Sequence, residues 1–444
     1  MKRSTFIIQW ILYTVLILSL YGCIEFSNTY NVIAPGPWRG TLDLRSQTLI
    51  TFSEEDASEK LAPDEFDFDK TPSGVLPFNF NVEYSSEDSI IITLINGEEI
   101  ITVQDYKYTP DVLGEKDSLV IDFPIYDSHI EALLQEGIMQ GYWVVHYRNN
   151  YKIPFKAKLG EDFRFFSIHE KPAHNISGRW EVHFEEEDGN KFPAIGDFVQ
   201  KGNQLTGTFE TETGDYRFLE GTVENDRFYL STFDGAHAYL FEGKIIEKDS
   251  IIGSFYSGKH YRSTWYASLN SEAKLTDPES LSRAATDYPV NYSATTIDGK
   301  HISFNNPPYS DKVKVVQIMG TWCPNCYDET RFLKQWKKDN PNLPVEIVSL
   351  AFENYNYPES IKQIRTYRDR MAIPWPIIYG GNRNHTTPTQ LNFIDKIVSY
   401  PTLVIFNKEN YIEKVHTGFY GPATSQYEKF VHNFDQTIRS LIGN

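Results

Sequence analysis

At 444 residues the chain is too long for one ordinary hydrophobic core, and two or three domains are expected. Its 60 acidic against 42 basic residues give a formal charge of −18, which argues against a basic surface for nucleic acid or anionic lipid. Aromatic residues are abundant (28 Tyr, 29 Phe, 8 Trp), as suits β-rich architecture, and three cysteines are too few to staple it.

Lys2 and Arg3 precede an apolar run, Phe6 to Leu20, broken by Gln9 and Thr14. The run is short for a spanning helix and suits the core of a signal peptide. It ends Leu20-Tyr21-Gly22-Cys23, which resembles the bacterial lipoprotein processing box. That resemblance implies a signal peptide at 1–22, an acylated Cys23 as the mature N-terminus, and a tether over 23–35. The remainder then lies in the cell envelope, lipid-anchored on a periplasm-facing membrane. The alternative is an uncleaved anchor with an incidental cysteine. With Cys23 lipidated, the odd cysteine count becomes one lipid site and one pair.

From Trp38 to about Leu269 short alternating runs are separated by turn signals such as Asn96-Gly97, Asp188-Gly189 and Thr213-Gly214-Asp215. Strands recurring every eight to twelve residues predict an antiparallel sandwich or barrel. Two copies are expected, 36–170 and 171–269, loosely resembling small lipocalin-like β units. Gly36-Pro37-Trp38 answers Gly178-Arg179-Trp180, and Asp117 to His129 answers Asp226 to His237. Late in each copy Trp143 or Trp265 precedes one more strand, and the first copy carries an acidic insertion at about 53–70. The pairs Asp127/His129 and Asp234/His237 read as turn caps with local hydrogen bonds rather than ligands, since no third ligand stands at suggestive spacing.

Residues 270–285, polar and carrying Asp277-Pro278, read as a linker. Over 286–444 strands alternate with helices, which predicts an α/β domain. Val313 to Met319 and Val345 to Leu350 are central strands, and Glu359 to Arg370 is a helix with Ile361, Ile364 and Tyr367 inward. A hairpin follows over Thr402 to Val415, and a capping box at Ser425 to Glu428 opens the last helix.

Between the first of those strands and its helix stands Gly320-Thr321-Trp322-Cys323-Pro324-Asn325-Cys326. Cys323 falls where the helix N-terminus should be, and unpaired N–H groups with the helix dipole stabilise a thiolate there. Cys326, one turn on, is placed to resolve a mixed disulfide. A purely structural disulfide is disfavoured, because so small a loop removes only about 2 kcal/mol of unfolded-state entropy. A zinc site would need two further ligands of suitable type and spacing.

With Trp-Cys-Pro-Xaa-Cys, Glu329 three residues after the second cysteine, and Tyr400-Pro401-Thr402 before an apolar strand, the chain resembles the thioredoxin-like family. The similarity is to its TlpA/ResA-type branch of extracytoplasmic thiol–disulfide oxidoreductases, over about 286–444. The resemblance implies catalysis by Cys323 and Cys326, a cis Pro401, and a proton role for Glu329 that also opposes a second thiolate at Cys326. Trp322, Pro324 and Tyr400 would support the pair. Gln317 stands where thioredoxins carry a buried aspartate, and it cannot accept a proton. No cofactor or metal is implied. Expected partners are protein thiols and disulfides and a membrane thiol-reducing partner that re-reduces the pair. A thiol oxidase of the same fold, a peroxidase, or an envelope-binding role for the β region are the competing functions.

Overall fold

The computed structural model describes residues 30, 32–45, 71–111, 116–383 and 391–443. Cys23, the segment before it and the acidic insertion lie outside them. Two antiparallel β units precede an α/β domain. The first has nine strands, from Gly36–Asp43 to Tyr151–Leu159. Consecutive strands pair and the first also pairs with the last, but the ring stays open between Glu99–Val103 and Tyr106–Thr109. In the second unit the strands from Gly178–Glu186 to Tyr261–Leu269 close into a full barrel, because Lys191–Lys201 pairs with both its neighbours. A two-residue strand, Gly214–Asp215, hangs outside that ring on Gln204–Thr211.

Alternation sets each core. In Gly178–Glu186, Trp180, Val182 and Phe184 are buried and their neighbours are not. The barrel interior is filled by rings, Phe209 stacking on Phe241 at 4.3 Å and Phe241 on Phe255 at 4.4 Å.

The units repeat each other in detail. Trp38 and Trp180 are both fully buried, and each indole N–H donates to the carbonyl four residues earlier, Ala34 (3.1 Å) and Ile176 (3.0 Å). Before them Gly36 and Gly178 hold φ of 120° and 127°, where side chains are rarely tolerated. Trp38 faces Leu159 and Trp180 faces Leu269, so register is shared too. The late tryptophans break the expected correspondence. Trp143 lies in the next-to-last strand opposite Ile153, whereas Trp265 lies in the last strand opposite Phe184. Phe155, opposite Leu42, occupies the place equivalent to Trp265.

The units are packed together. Phe233 of the barrel stands among Phe78, Phe123 and Trp143 of the first unit, at 4.6, 5.7 and 5.2 Å between ring centroids. Buried Arg164 ties Asn96 (3.0 Å) of the first unit to Ser231 (2.9 Å) and Glu220 (3.0 Å) of the barrel.

The α/β domain is a five-stranded sheet in the order Ile377–Asn382, Val345–Glu353, Val313–Met319, Thr402–Phe406, Ile412–Thr417. The first three strands are parallel and the last two antiparallel. Every residue of Val313–Met319 is buried, because helices Pro324–Asp339, Glu359–Met371 and Tyr427–Ile442 and the preceding loops cover both faces. The stretch before it is docked rather than loose, with Ala284 bridging to Ile394 and Ser282 accepting from Thr417 at 2.9 Å. The expected capping box is not formed. Gln426 precedes the last helix without a side-chain cap, and Ser425 Oγ donates instead to Asp197 of the barrel at 3.3 Å. Among the described residues no helix is long and apolar enough to cross a membrane.

Candidate redox site

The buried strand Val313–Met319 delivers the chain to Gly320. A Cβ there would lie 2.2 Å from Trp322 Nε1, so glycine is what lets the indole fold back and donate to Phe352 O at 2.9 Å. Cys323 is the N-cap of helix Pro324–Asp339, its Sγ accepting from Cys326 N at 3.2 Å. Pro324 sits in the first turn, where a missing N–H loses nothing. Cys323 and Cys326 are joined as a disulfide with Cα atoms 5.2 Å apart, the first 5% exposed and the second fully buried. Across from them the Tyr400–Pro401 bond is cis, and the Tyr400 carbonyl oxygen lies 3.5 Å from Cys323 Sγ. The Trp322 and Tyr400 rings meet edge to face at 5.5 Å.

Beneath the sulfurs is a polar network. Gln317 Nε2 donates to Cys326 O (3.3 Å) and Thr330 Oγ1 (3.0 Å), and its Oε1 accepts from Ser349 Oγ (2.9 Å). Tyr367 and Trp375 complete it from the side, donating to Thr330 and Ser349. Glu329 is fully buried beside this network, and neither carboxyl oxygen has a hydrogen-bond partner. Burial holds its carboxyl up to about 8, with only Gln317 pulling the other way. At neutral pH it is therefore mostly the neutral acid, so charge repulsion toward Cys326 sets in only above that value.

Three carboxyl groups near the pair carried no signal in the sequence. Glu353, at the end of a central strand, accepts from Thr321 N (3.0 Å) and Oγ1 (2.7 Å), and burial holds it at about 7 against those bonds. Asp328 is held at about 7 by burial, with Arg217 opposing. Asp215 is pushed up by burial and accepts from Gly421 N at 2.6 Å.

Those last two belong to an interface with the barrel. Arg217, buried at φ 61°, donates to Asp328 (2.9 Å) and to Pro324 O (3.3 Å), inside the cysteine motif itself. It also donates to Glu99 of the first unit and lies 3.5 Å from Asp234. Burial opposes its charge, but Asp328, Glu99 and Asp234 outweigh that and push its pKa up. Asn325 donates to Asp215 O at 3.4 Å, and a Cβ on Gly214 would strike Asn325 at 2.1 Å. A cavity of about 210 Å³ remains between Thr213–Arg217 and the pair, walled by Cys323, Trp322, Tyr400 and Tyr239.

Only the second Asp/His pair makes the expected local turn bonds. Asp234 caps its turn, accepting from Ala236 N (2.7 Å) and His237 N (2.6 Å), while His129 meets His146 at 2.9 Å. Asp127 also reaches across to accept from Tyr355 of the α/β domain. Among the described residues no group of His, Cys, Asp and Glu side chains is arranged to hold a metal.

Residues 284–430 match the Redoxin family. The C-terminal domain is a redoxin domain. Thiol-disulfide oxidoreductase ResA of Halalkalibacterium halodurans is 28% identical over 154 residues, 34% of this chain and 77% of that protein. Thioredoxin-like protein YneN of Bacillus subtilis is 23% identical over 128 residues, 29% and 68%. Among solved structures, a thioredoxin-family thiol:disulfide interchange protein from Chlorobium tepidum is 20% identical, covering 36% of this chain and 98% of that one, at a TM-score of 0.28. StoA from Bacillus subtilis is 18% identical, with 33% and 98% covered and a TM-score of 0.25.

Proposed function

We propose that the chain is a membrane-anchored, extracytoplasmic thiol–disulfide oxidoreductase that reduces protein disulfides. The observation that carries this is Cys323 at a helix N-cap, bonded to Cys326 and facing the Tyr400 carbonyl beside cis Pro401. In the reduced protein, Cys323 as thiolate attacks a substrate disulfide and one half leaves as a thiol. Cys326 then attacks Cys323 Sγ, releasing the second half and closing the disulfide seen here. The N–H of Cys326 and the helix dipole favour the attacking thiolate. Glu329, with its carboxyl at about 8, accepts the resolving thiol's proton through the fraction ionised near neutral pH, a fraction that grows as pH rises toward that value. An external dithiol, the membrane partner, returns two electrons to the pair.

Two experiments test this. Cys326→Ala should accumulate mixed disulfides at Cys323 with its substrates; no adducts and no disulfide turnover by the wild type would overturn the reading. The reduction potential decides direction, near about −270 mV for a reductase and near about −120 mV for a thiol oxidase. Cys23→Ser should abolish lipid labelling and membrane retention. Processing and fractionation like the wild type would exclude lipidation at that residue.

A second function for the β region is favoured by one observation, the insertion of Arg217 into the cysteine motif from the barrel. The barrel then takes part in substrate selection rather than only extending the redoxin domain from the membrane.

A further inference from the structure

Against Trp322 a cleft of about 190 Å³ opens between the first unit, the barrel and the redoxin domain. It shares Trp322, His237 and Tyr239 with the cavity that holds Cys323, so the two adjoin across these side chains. Two arginines line it from opposite domains. Arg383 lies over the Trp322 ring at 4.2 Å, and Arg148 lies over Tyr151 at 5.3 Å and Tyr147 at 5.5 Å. Aromatic faces thus hold both guanidinium groups, and neither makes an ion pair or side-chain hydrogen bond with any described residue.

The carboxyl groups nearby are committed elsewhere. Glu353 takes both bonds from Thr321, Asp127 accepts from Tyr355, and Asp234 caps its turn beside Arg217. Burial lowers the Arg383 pKa, and the Arg148 charge adds to this while Tyr147, Tyr400 and Glu353 oppose it. His260, in the same wall, is held down to about 4 by burial, Arg148 and His237, so it stays neutral. Two half-buried cations lining one cleft favour an anion there. Their planar forks match the two oxygens of a carboxylate.

We propose that this cleft is an anion subsite, and that the preferred disulfide carries a carboxylate a few bonds from its sulfur. The inference rests on the oxidoreductase reading above. The carboxylate is held by Arg148 and Arg383 while the sulfur it belongs to reaches Cys323 past Trp322. Attack forms the Cys323–sulfur bond and breaks the substrate S–S bond, and the distal half leaves as a thiolate that takes a solvent proton. Cys326 then displaces the carboxylate-bearing half as a second thiol. Two electrons pass from the dithiol to the disulfide, and the external dithiol restores them. Such a carboxylate belongs either to a low-mass thiol or to an acidic residue beside a cysteine in a polypeptide.

The test uses the reduced full-length chain with two probes, dithiodipropionate and the neutral bis(2-hydroxyethyl) disulfide. Second-order rates are each divided by the rate with free dithiothreitol, which removes intrinsic reactivity. The normalised ratio of anionic to neutral substrate should favour the anion by about tenfold or more, as two charge-assisted contacts allow, against the sign of the protein's net charge. It should collapse toward one in Arg148→Gln/Arg383→Gln. The ratio cancels any general change in Cys323 reactivity, so a perturbed variant remains informative. Disulfide-linked peptides with glutamate or glutamine beside the cysteine then distinguish the sources. A preference only among small disulfides assigns a low-mass thiol, and a preference in both sets assigns an acidic peptide. A wild-type ratio of one or less, or one unchanged in the double variant, overturns the subsite and leaves the oxidoreductase reading standing. Turnover of neither probe overturns both.

Discussion

Replacing Glu329 with glutamine keeps the side chain's shape and removes a titration that opposes folding at high pH. The carboxyl is fully buried and held at about 8, against 4.5 when free. Because the folded state favours the neutral acid, stability is fully present below the ordinary value and declines as pH rises toward 8. It levels off above that point. At about 1.4 kcal/mol per pH unit, this one group removes about 4 kcal/mol between about pH 5 and about pH 9. Glu329→Gln has no such term, so the stability gap between variant and wild type should widen by about that amount over the same interval. The assay is guanidinium denaturation of the oxidised full chain at a series of pH values. Asp328 and Glu353, each held at about 7, titrate identically in both proteins and cancel in the difference. Parallel stability curves would refute the reasoning, because they would mean the carboxyl is solvated or paired in the folded state. The same substitution should slow release of the mixed disulfide and flatten its pH–rate profile near 8 if Glu329 takes the resolving proton.

Arg217→Met leaves Glu99, Asp234 and Asp328 buried without their cation, and should cost about 3–5 kcal/mol in denaturation; adding Asp328→Asn should recover part of it. Trp180→Ala empties a fully buried position in the barrel core and should lower stability by about 3–5 kcal/mol, whereas a loss below about 1 kcal/mol would contradict its packing role. Residues 286–444 expressed alone lack the barrel side of the cavity that holds Cys323, so a bulky disulfide should react several-fold faster with the fragment than with the full chain. Equal rates would show that the barrel does not screen the pair.

What could be read from the sequence was local chemistry and short-period pattern. The Cys323–Cys326 motif, its glycine and its helix lie in one unbroken run from Gly320 to Asp339, and the strand before them, apolar but for Lys314 and Gln317, announces a sheet covered on both faces. Alternation gave the β region its class, and the Gly–Trp openings gave its repeat. The equivalence of Trp143 and Trp265 failed because Trp143 stands before one more strand while Trp265 lies in the last strand of its unit, and register against the first strand makes Phe155 its counterpart. The capping box failed for a related reason: Ser425 had a better partner in Asp197, 228 residues away.

The site's second wall was hidden more completely. Arg217 meets Pro324 across 107 residues and Glu99 across 118, and no periodicity or spacing rule encodes such a contact. Thr213-Gly214-Asp215 looked like one turn among many. In the fold that turn rests on the redoxin domain, because a Cβ on Gly418 would strike Thr213 and Asp215 binds Gly421 N. Glycines on both sides therefore allow the barrel backbone to approach the loop after cis Pro401. Arg148 and Arg383 come together in the same way, one from each domain, against the aromatic residues that separate them from Cys323. The redoxin domain supplies the cysteine pair, and the two β units supply walls of the cavities beside it. Substrate choice should accordingly follow changes in the β region more closely than the reduction potential of the pair does.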